Sequence, residues 1–280
     1  TYVVNDRGSP VQLTRYKVTD HVLVMHGSTH ENWRLPNGYV PTLYNQYGHN
    51  KNLWDAHVHG LMVPVTSQNF YYEFVNSQHV GEYPLLFEWA DPFTRQSFFP
   101  PLYLSWDSNV GMMTWVVIQH IAGEYRVCKE NGSNARNIPE AVKQFVEAFP
   151  PSKWKNHPIS VLGDASLHKR SDQTYTTGYE MIMHLLRQAG YNLLELKAHI
   201  GNPFVYERSD CTNRLFARGE LKIDRSCVKV VSSFATSEAD GKGGIKKPTG
   251  ETTTHPAEAV DMALIVLEPN TVRTGYGLNI

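Results

Sequence analysis

LYLSW (residues 102–106), TWVVIQH (residues 114–120) and YRVC (residues 125–128) are the three apolar runs that decide the fold. Each run is short and rich in β-branched or aromatic residues, which is typical of strands in a sheet. Ala122 and Gly123 lie between the second and third runs and indicate a tight turn between two paired strands. The three runs therefore predict an antiparallel meander.

Helical and strand-like patterns alternate downstream of the meander. Apolar spacing predicts one helix that begins at Pro139 and three more at residues 178–188, 203–217 and 257–267. Short apolar runs predict two further strands, at residues 159–162 and 193–196. A meander followed by alternating elements indicates an α/β fold in which helices cover the faces of a mixed sheet. This is the ribonuclease-H-like arrangement, although periodicity does not give the order of the strands.

The composition is that of an ordinary soluble globular protein without an excess of positive charge. The 280 residues are 41% hydrophobic and 19% charged, with a formal net charge of −1. DNA-binding proteins are more often basic, so any contact with nucleic acid must come from local basic patches. Three cysteines without a Cys-x-x-Cys pair argue against a disulfide framework or a zinc ribbon and favour a reducing compartment. No apolar run approaches the ~18 residues that a membrane-spanning helix needs.

Two aspartates occur in the same context, at the ends of predicted strands. Asp107 and Asp164 each follow a short apolar run and precede small polar residues. Neighbouring strands lie ~4.8 Å apart, so the two carboxylates can share one hard cation if their strands are adjacent. Glu258 and Asp261, three residues apart on the last predicted helix, are candidates for a third acid. Two divalent ions ~4 Å apart in such a cluster suit phosphodiester hydrolysis, whereas the structural alternative is that each aspartate caps a turn.

The residues around these acids form an ordered set of motifs. In chain order they are SWDSN (105–109), GDAS (163–166) with GYEMI (178–182), NPFV (202–205) with Arg208 and Asn213, and THPAEAVD (254–261). This set resembles the nuclease part of phage terminase large subunits over about residues 100 to 270. The resemblance implies a ribonuclease-H-like endonuclease that uses a pair of Mg²⁺ or Mn²⁺ ions to cut concatemeric double-stranded DNA during genome packaging.

The same resemblance implies which residues form the site. Asp107, Asp164 and Asp261 would be the metal ligands. Many proteins of the family carry an acid three residues after the histidine, and Glu258 occupies that position here. The third ligand is therefore left between Asp261, which we prefer, and Glu258. His255 is a candidate ligand, general base or phosphate contact.

Basic residues near these motifs are candidates for DNA binding. They are Lys169 and Arg170, which follow the second acid, and Lys242, Lys246 and Lys247 in a glycine-rich loop before the last helix. Such residues can neutralise phosphates along the DNA backbone. An ordinary surface loop would have the same composition, so this interpretation stays open.

The resemblance also implies partners and a domain layout. The expected partners are double-stranded DNA, the portal protein and the terminase small subunit, in the host cytoplasm and without a membrane. Pro92, Pro100 and Pro101 suggest a boundary near residue 95. Residues 1–95 would then be the tail of an ATPase motor domain or a linker, and residues 96–280 the nuclease domain. The sequence contains no phosphate-binding loop motif, so the loop of the motor is expected upstream or on another chain.

Two other functions are compatible with the same acids. A Holliday-junction resolvase or a transposase-like nuclease would share the fold and the metal chemistry, but it would need structure-specific DNA contacts and usually a dimer. A non-catalytic domain that docks on a portal or capsid would have no need of the acids. The presence of every candidate acid argues against that second alternative.

Overall fold

The computed structural model describes residues 2–4, 10–12, 15–19, 22–25, 28–32, 34–47, 54, 58–60, 69–109, 112–131, 135–170, 176–240, 244–246 and 254–268. Contacts divide the chain into two compact units, Thr1–Thr66 and Ser67–Ile280. The described elements of the first unit are β1 (Tyr2–Val4), β2 (Pro10–Gln12), β3 (Arg15–Thr19), β4 (Val22–Met25), a 3₁₀ turn (Thr29–Glu31) and α1 (Tyr39–Tyr47). In this unit β1 pairs with β2 and β3 with β4, both antiparallel.

The second unit carries a large sheet and the helices that cover it. Its strands are β5 (Val80–Gly81), β6 (Trp89–Ala90), β7 (Ser97–Phe98), β8 (Leu102–Asn109), β9 (Met112–Ile121), β10 (Glu124–Glu130), β11 (Ile159–Gly163), β12 (Leu194–Leu196) and β13 (Leu221–Asp224). Its helices are α2 (Asn76–His79), α3 (Ile138–Ala148), α4 (Pro151–Trp154), α5 (Gly178–Ala189), α6 (Val205–Ala217), α7 (Val228–Thr236) and α8 (His255–Leu267). A 3₁₀ turn, Ala165–His168, follows β11.

The order of the strands in the sheet is β12-β11-β8-β9-β10-β13-β5. Strands β8, β9 and β10 form the antiparallel meander, while β11 pairs parallel to β8 and β12 parallel to β11. In chain order the five strands of the centre are therefore arranged 3-2-1-4-5, with the second strand antiparallel to the rest. This is the ribonuclease-H-like arrangement, and the predicted fold class is confirmed.

The predicted meander is present, with one difference that affects the site. Ala122 and Gly123 both have positive φ, 53° and 83°, as a two-residue turn between paired strands requires. Strand β8 continues past its expected end at Asp107 because Asp107 pairs with Thr114 of β9. Asp107 is thus inside a strand of the sheet and not in a loop after it.

Two strands at one side of the sheet are not predicted by the sequence pattern. Strand β13 pairs parallel to β10, and β5 pairs parallel to β13. Both are short, with four and two residues, and such segments are too short to show an alternating pattern. Helix α7, which follows β13, was also not predicted.

Both faces of the sheet are buried. Along β9, Trp115 and Val117 pack with helices α3 and α5, whereas Val116 and Ile118 pack with α6, α7 and α8. Side chains alternate between the two faces of a strand, so the same rule applies to β8. Its Leu104 and Trp106 belong to the core cluster formed with α3 and α5. The polar residues that alternate with them, Ser105 and Asp107, point to the opposite face, which carries α8.

The boundary expected near residue 95 does not coincide with the division of contacts at Thr66 and Ser67. The segment from residue 69 to residue 95 contributes β5 to the sheet, and Tyr71 in it donates a hydrogen bond to Asp261 of α8 at 2.7 Å. These interactions place the segment in the sheet-bearing unit. The assignment of residues 1–95 to a motor domain or a linker stays a prediction.

The helices in the described part of the chain are all too short or too polar to cross a membrane.

Gly163 allows β8 and β11 to approach closely at the end of their pairing. It has a φ of +127°, and a Cβ added there would lie 2.1 Å from the carbonyl oxygen of Trp106 and 2.5 Å from its nitrogen. Backbone atoms of a central strand cannot move without loss of strand pairing. The fold therefore requires glycine at this position. The close approach also sets the position of the next residue, Asp164, beside β8.

We expect Gly163→Ala to lower the free energy of unfolding by about 3 kcal/mol or more, because the added methyl group meets backbone and not a flexible side chain. The matched control is Gly123→Ala, which has a φ of +83° but no atom within 4 Å of the added Cβ. Its cost should be only the ~1–2 kcal/mol of a left-handed conformation. Urea denaturation of both variants gives the comparison, and equal losses would contradict the proposed clash.

Candidate metal centre

Asp107 lies on β8 with its side chain on the face that carries α8. The alternation along the strand places Ser105 on the same face, and the Ser105 hydroxyl donates a hydrogen bond of 2.6 Å to the carbonyl oxygen of Ala259. This bond fixes the first turns of α8 against the strand. The Asp107 carboxylate is 6% exposed, and its Oδ2 lies 2.8 Å from Nδ1 of His255.

The first turn of α8 supplies the other two groups of the cluster. His255 and Glu258 are three residues apart and share a face of the helix. His255 Nδ1 lies 3.3 Å from Glu258 Oε2, so the same nitrogen contacts two carboxylates. One ligand atom from each of Asp107, His255 and Glu258 lies within 4.8 Å of the others, and all three residues are buried. Two carboxylates and one imidazole are a donor set that suits a divalent metal ion.

The electrostatics of this cluster favour a cation. Burial lowers the pKa of His255, but its hydrogen bonds to Asp107 and Glu258 outweigh that effect and raise the pKa to about 9. Burial raises the pKa of Asp107, and the nearby charges of Glu258 and Asp164 act in the same direction. A proton on His255 Nδ1 thus lies between two carboxylates and compensates part of their charge. A metal ion would compensate more of it.

Asp164 lies beside Asp107 because β11 and β8 are neighbours. The Asp164 amide donates a hydrogen bond of 2.9 Å to the carbonyl oxygen of Trp106, the residue directly before Asp107. Its Oδ1 accepts hydrogen bonds from the Ser166 amide at 2.8 Å and from Asn202 Nδ2 at 2.7 Å, and its Oδ2 accepts one from the Ser166 hydroxyl at 2.5 Å. The expected adjacency of the two strands is confirmed. Asp164 also caps the 3₁₀ turn that follows it, which was the structural alternative.

Asp261 is not part of this compact group and is held by two hydroxyl groups. It is 1% exposed, its Oδ2 accepts from the Tyr71 hydroxyl at 2.7 Å, and its Oδ1 accepts from the Thr212 hydroxyl at 2.6 Å. Burial raises its pKa to about 7, although Arg208 and the two hydrogen bonds oppose the effect. Six residues along a helix correspond to a rotation of roughly 120° away from His255. The structure therefore brings Glu258, and not the preferred Asp261, to Asp107 and His255.

The predicted basic residues fall into three groups. Lys169 and Arg170 are exposed and follow the 3₁₀ turn after Asp164. Lys246 forms an ion pair of 2.8 Å with Glu238. Lys242 and Lys247 lie outside the described residues.

Sequence reasoning missed residues that orient the acids. Asn202 was recognised only as part of a motif, yet its Nδ2 bonds to Asp164 and its Oδ1 accepts from the Ala165 amide at 2.7 Å. The Tyr179 hydroxyl donates to the carbonyl oxygen of Asp164 at 3.0 Å. Only Ser105 had a usable signal, because strand alternation places it on the face of Asp107. The other contacts join segments that are distant in sequence.

Comparison with solved structures finds similar proteins, whereas comparison of the sequence with known families and proteins does not. No protein-family profile and no curated protein matches the sequence. The large terminase of the thermophilic bacteriophage D6E is similar in structure, with a TM-score of 0.55 and 15% identity over 86% of this chain and 54% of that one. Its ADP complex gives a TM-score of 0.54 and 16% identity over 89% of this chain and 55% of that one. The P22 large terminase nuclease domain has a TM-score of 0.44 and 14% identity over 69% of this chain and 88% of that one, which is too low to support an argument.

Identities of 15–16% establish a likeness of fold and nothing finer. The likeness covers most of this chain but only about half of the D6E protein. This chain therefore has the fold of a phage large terminase, over a region about half as long as that protein.

Proposed function

We propose that this chain is a metal-dependent endonuclease that hydrolyses phosphodiester bonds of double-stranded DNA as part of a phage terminase. The observation that carries the proposal is the buried group of Asp107, His255 and Glu258, with Asp164 on the neighbouring strand. Carboxylates at the centre of a ribonuclease-H-like sheet have no structural need to be buried together, because like charges in a low dielectric repel. A bound cation would remove that cost.

The donor set fits Mg²⁺ or Mn²⁺. Oxygen ligands suit both ions, and an imidazole nitrogen is better suited to Mn²⁺. A divalent ion bound there would stabilise negative charge on a phosphate and make a water molecule more acidic. We propose Asp107 and Glu258 as its carboxylate ligands and His255 as the nitrogen ligand.

The residues of the candidate metal centre have different proposed roles. His255 would lose its proton to the solvent on binding an ion, and Asp107 and Glu258 would then hold the ion in place of that proton. Asp164 is the proposed ligand for a second ion that it would share with Asp107. Among the residues that the structure describes, the Oδ2 of Asp164 accepts a single hydrogen bond, from Ser166, which leaves a lone pair for a metal. Ser166 and Asn202 hold this carboxylate in one orientation.

The biological setting is proposed on the likeness of fold together with the sequence motifs. The substrate would be concatemeric viral DNA, and the portal protein and the terminase small subunit would be partners in the host cytoplasm. An ATPase motor is also proposed to act with this chain, by the resemblance of its motifs to those of terminase large subunits. A domain that only docks on a portal or capsid would not need the buried acids at the centre of the sheet.

The first test is cleavage of supercoiled plasmid in Mg²⁺ or Mn²⁺, with EDTA as the blank. Asp107→Asn and Glu258→Gln should each slow cleavage by at least ~100-fold, because each removes a charge that holds the ion. Glu147→Gln, on the exposed surface of α3, is the control and should cleave like the wild type. A wild-type protein that does not cleave in either metal would favour the docking function.

The same assay ranks the two acids of α8. Asp261→Asn should cleave faster than Glu258→Gln, because the Asp261 oxygens contact Tyr71 and Thr212 and not His255. Thermal unfolding of both variants separates a loss of activity from a loss of folded protein. The opposite ranking, at equal stability, would return the role of third ligand to Asp261.

Metal binding should release a proton from His255. The pKa of about 9 means that His255 is charged near neutral pH, and a metal ligand must be neutral. Titration calorimetry with Mn²⁺ in two buffers of different ionisation enthalpy should give about one proton released near pH 7.5, and a value that falls towards zero at about pH 10. In His255→Gln this release should be lost. An unchanged release in that variant would mean that the proton comes from another group.

The exposed pair Lys169 and Arg170 should contribute to the grip on DNA. Their replacement by alanine should reduce the slope of log affinity against log salt by about two units, or one for each lost phosphate contact. Fluorescence anisotropy with a duplex in Ca²⁺ measures this slope, and Lys143→Ala on α3 is the exposed control. Replacement of Lys242, Lys246 and Lys247 tests the glycine-rich loop in the same way. Unchanged slopes in both variants would place the DNA path elsewhere.

A further inference from the structure

Arg208 is a buried cation in the second turn of α6. It is 5% exposed, and its Nε and Nη1 atoms are buried without a hydrogen-bond partner among the residues that the structure describes. A buried charge with unpaired donors is costly, since an unsatisfied charged group loses its hydration without replacement. Such a group in a folded protein suits an acceptor that lies beyond the residues that the structure describes.

Arg208 lies on α6 between two residues that donate hydrogen bonds to acids of the site region. Asn202, just before the helix, donates to Asp164, and Thr212 within the helix donates to Asp261. Arg208 lies between these two contacts and precedes Thr212 by one turn, so the two residues share a face. Arg208 therefore lies on the face of α6 whose Thr212 contacts Asp261 of α8.

The charge of Arg208 also affects the pKa of Tyr71, the hydrogen-bond partner of Asp261. Burial raises the pKa of Tyr71 and so does Asp261, while Arg208 opposes them. Glu258 also raises the pKa of Tyr71, so Arg208 and Glu258 both act on one buried hydroxyl. These effects agree with the position of Arg208 on the face of α6 whose Thr212 contacts Asp261.

Asp261, on whose pKa the charge of Arg208 acts, accepts no hydrogen bond from the buried Nε and Nη1 of Arg208. Both carboxylate oxygens of Asp261 accept hydrogen bonds from Tyr71 and Thr212. Arg214, two turns further along α6, also has one buried donor without a partner among the described residues, its Nη2, but its Nη1 lies 3.7 Å from Oδ2 of Asp210. Arg214 therefore has a structural anion of its own, whereas Arg208 has a charge that this acid leaves without a hydrogen bond.

We propose that Arg208 is an anion-binding residue whose ligand is a phosphodiester of the DNA backbone, an inference that rests on the proposed nuclease function. A guanidinium presents several N–H donors in fixed directions and stays charged when it is buried, which suits the oxygens of a phosphate better than an ammonium does. Arg208 would contribute a positive charge from the chain itself, opposite the ions held by the carboxylates. It would balance the phosphate charge that the acidic cluster otherwise repels.

The experiment compares Arg208→Met with Arg214→Met in the full chain. Binding of a fluorescent duplex in Ca²⁺ should weaken at least ~10-fold in Arg208→Met, and the salt slope should fall by about one unit. Arg214→Met should keep the wild-type slope. Mn²⁺ binding, followed by titration calorimetry without DNA, should not weaken in Arg208→Met, because Arg208 is not a ligand.

Arg208→Lys keeps the charge and covers the case in which Arg208→Met does not fold. It should retain the salt slope and cleave plasmid at least ~10-fold more slowly than wild type, since a lysine cannot reproduce the directed donors. A wild-type slope in Arg208→Met, or a wild-type cleavage rate in Arg208→Lys, would overturn the proposal. Weaker Mn²⁺ binding in Arg208→Met would also overturn it and assign Arg208 to holding the acids in place.

The two proposals fail in different ways. If the wild type does not cleave DNA but Arg208→Met still lowers the salt slope, the nuclease function is wrong and the phosphate contact stands. If the wild type cleaves and the variants of Arg208 behave like those of Arg214, the nuclease function stands and the phosphate contact is wrong.

Discussion

The close pairing of β8 with β11 is the constraint on which the site depends. At its end the Asp164 amide bonds to the carbonyl oxygen of Trp106, and only a glycine at position 163 fits against that backbone. The pairing places Asp164 next to Asp107 with no freedom to separate. Strand alternation then turns Asp107 and Ser105 to the same face, where Ser105 fixes α8. The positions of the acids thus follow from backbone geometry.

Charge compensation is the second constraint. His255 has a folded-state pKa of about 9, above its ordinary value of 6.5, so its pairing with Asp107 and Glu258 stabilises the fold fully below pH 6.5. This stabilisation is lost as the pH rises through about 9. Asp261 acts in the same direction over a lower pH range, because its raised pKa makes the buried carboxylate more costly as the pH rises from 3.8 towards 7. A bound metal ion would replace the proton on His255 and remove the dependence on that group.

Asp261 has a structural position that links three parts of the unit. Tyr71 comes from the segment before the sheet, Thr212 from α6, and Asp261 from α8. A single buried carboxylate with two hydroxyl donors therefore fixes the two helices and the early segment relative to each other. This network connects the segment that contains Tyr71 to the helices of the sheet-bearing unit. Removal of one partner would leave a buried polar group unpaired, which costs more than the bond itself contributes.

The sequence by itself determined the local elements and the first acid. Alternation and a turn with positive φ at Ala122 and Gly123 specify the meander. Helix α5 begins after Thr177, whose side chain caps it, and ends at Gly190, which has a left-handed conformation. These signals act over a few residues. Tertiary structure alone decided the strand order, the pairing of β13 and β5, and the choice of Glu258 over Asp261 as the neighbour of His255. Those outcomes depend on parallel pairing and on the rotation of one helix against the sheet, and both are set by contacts between residues far apart in the chain.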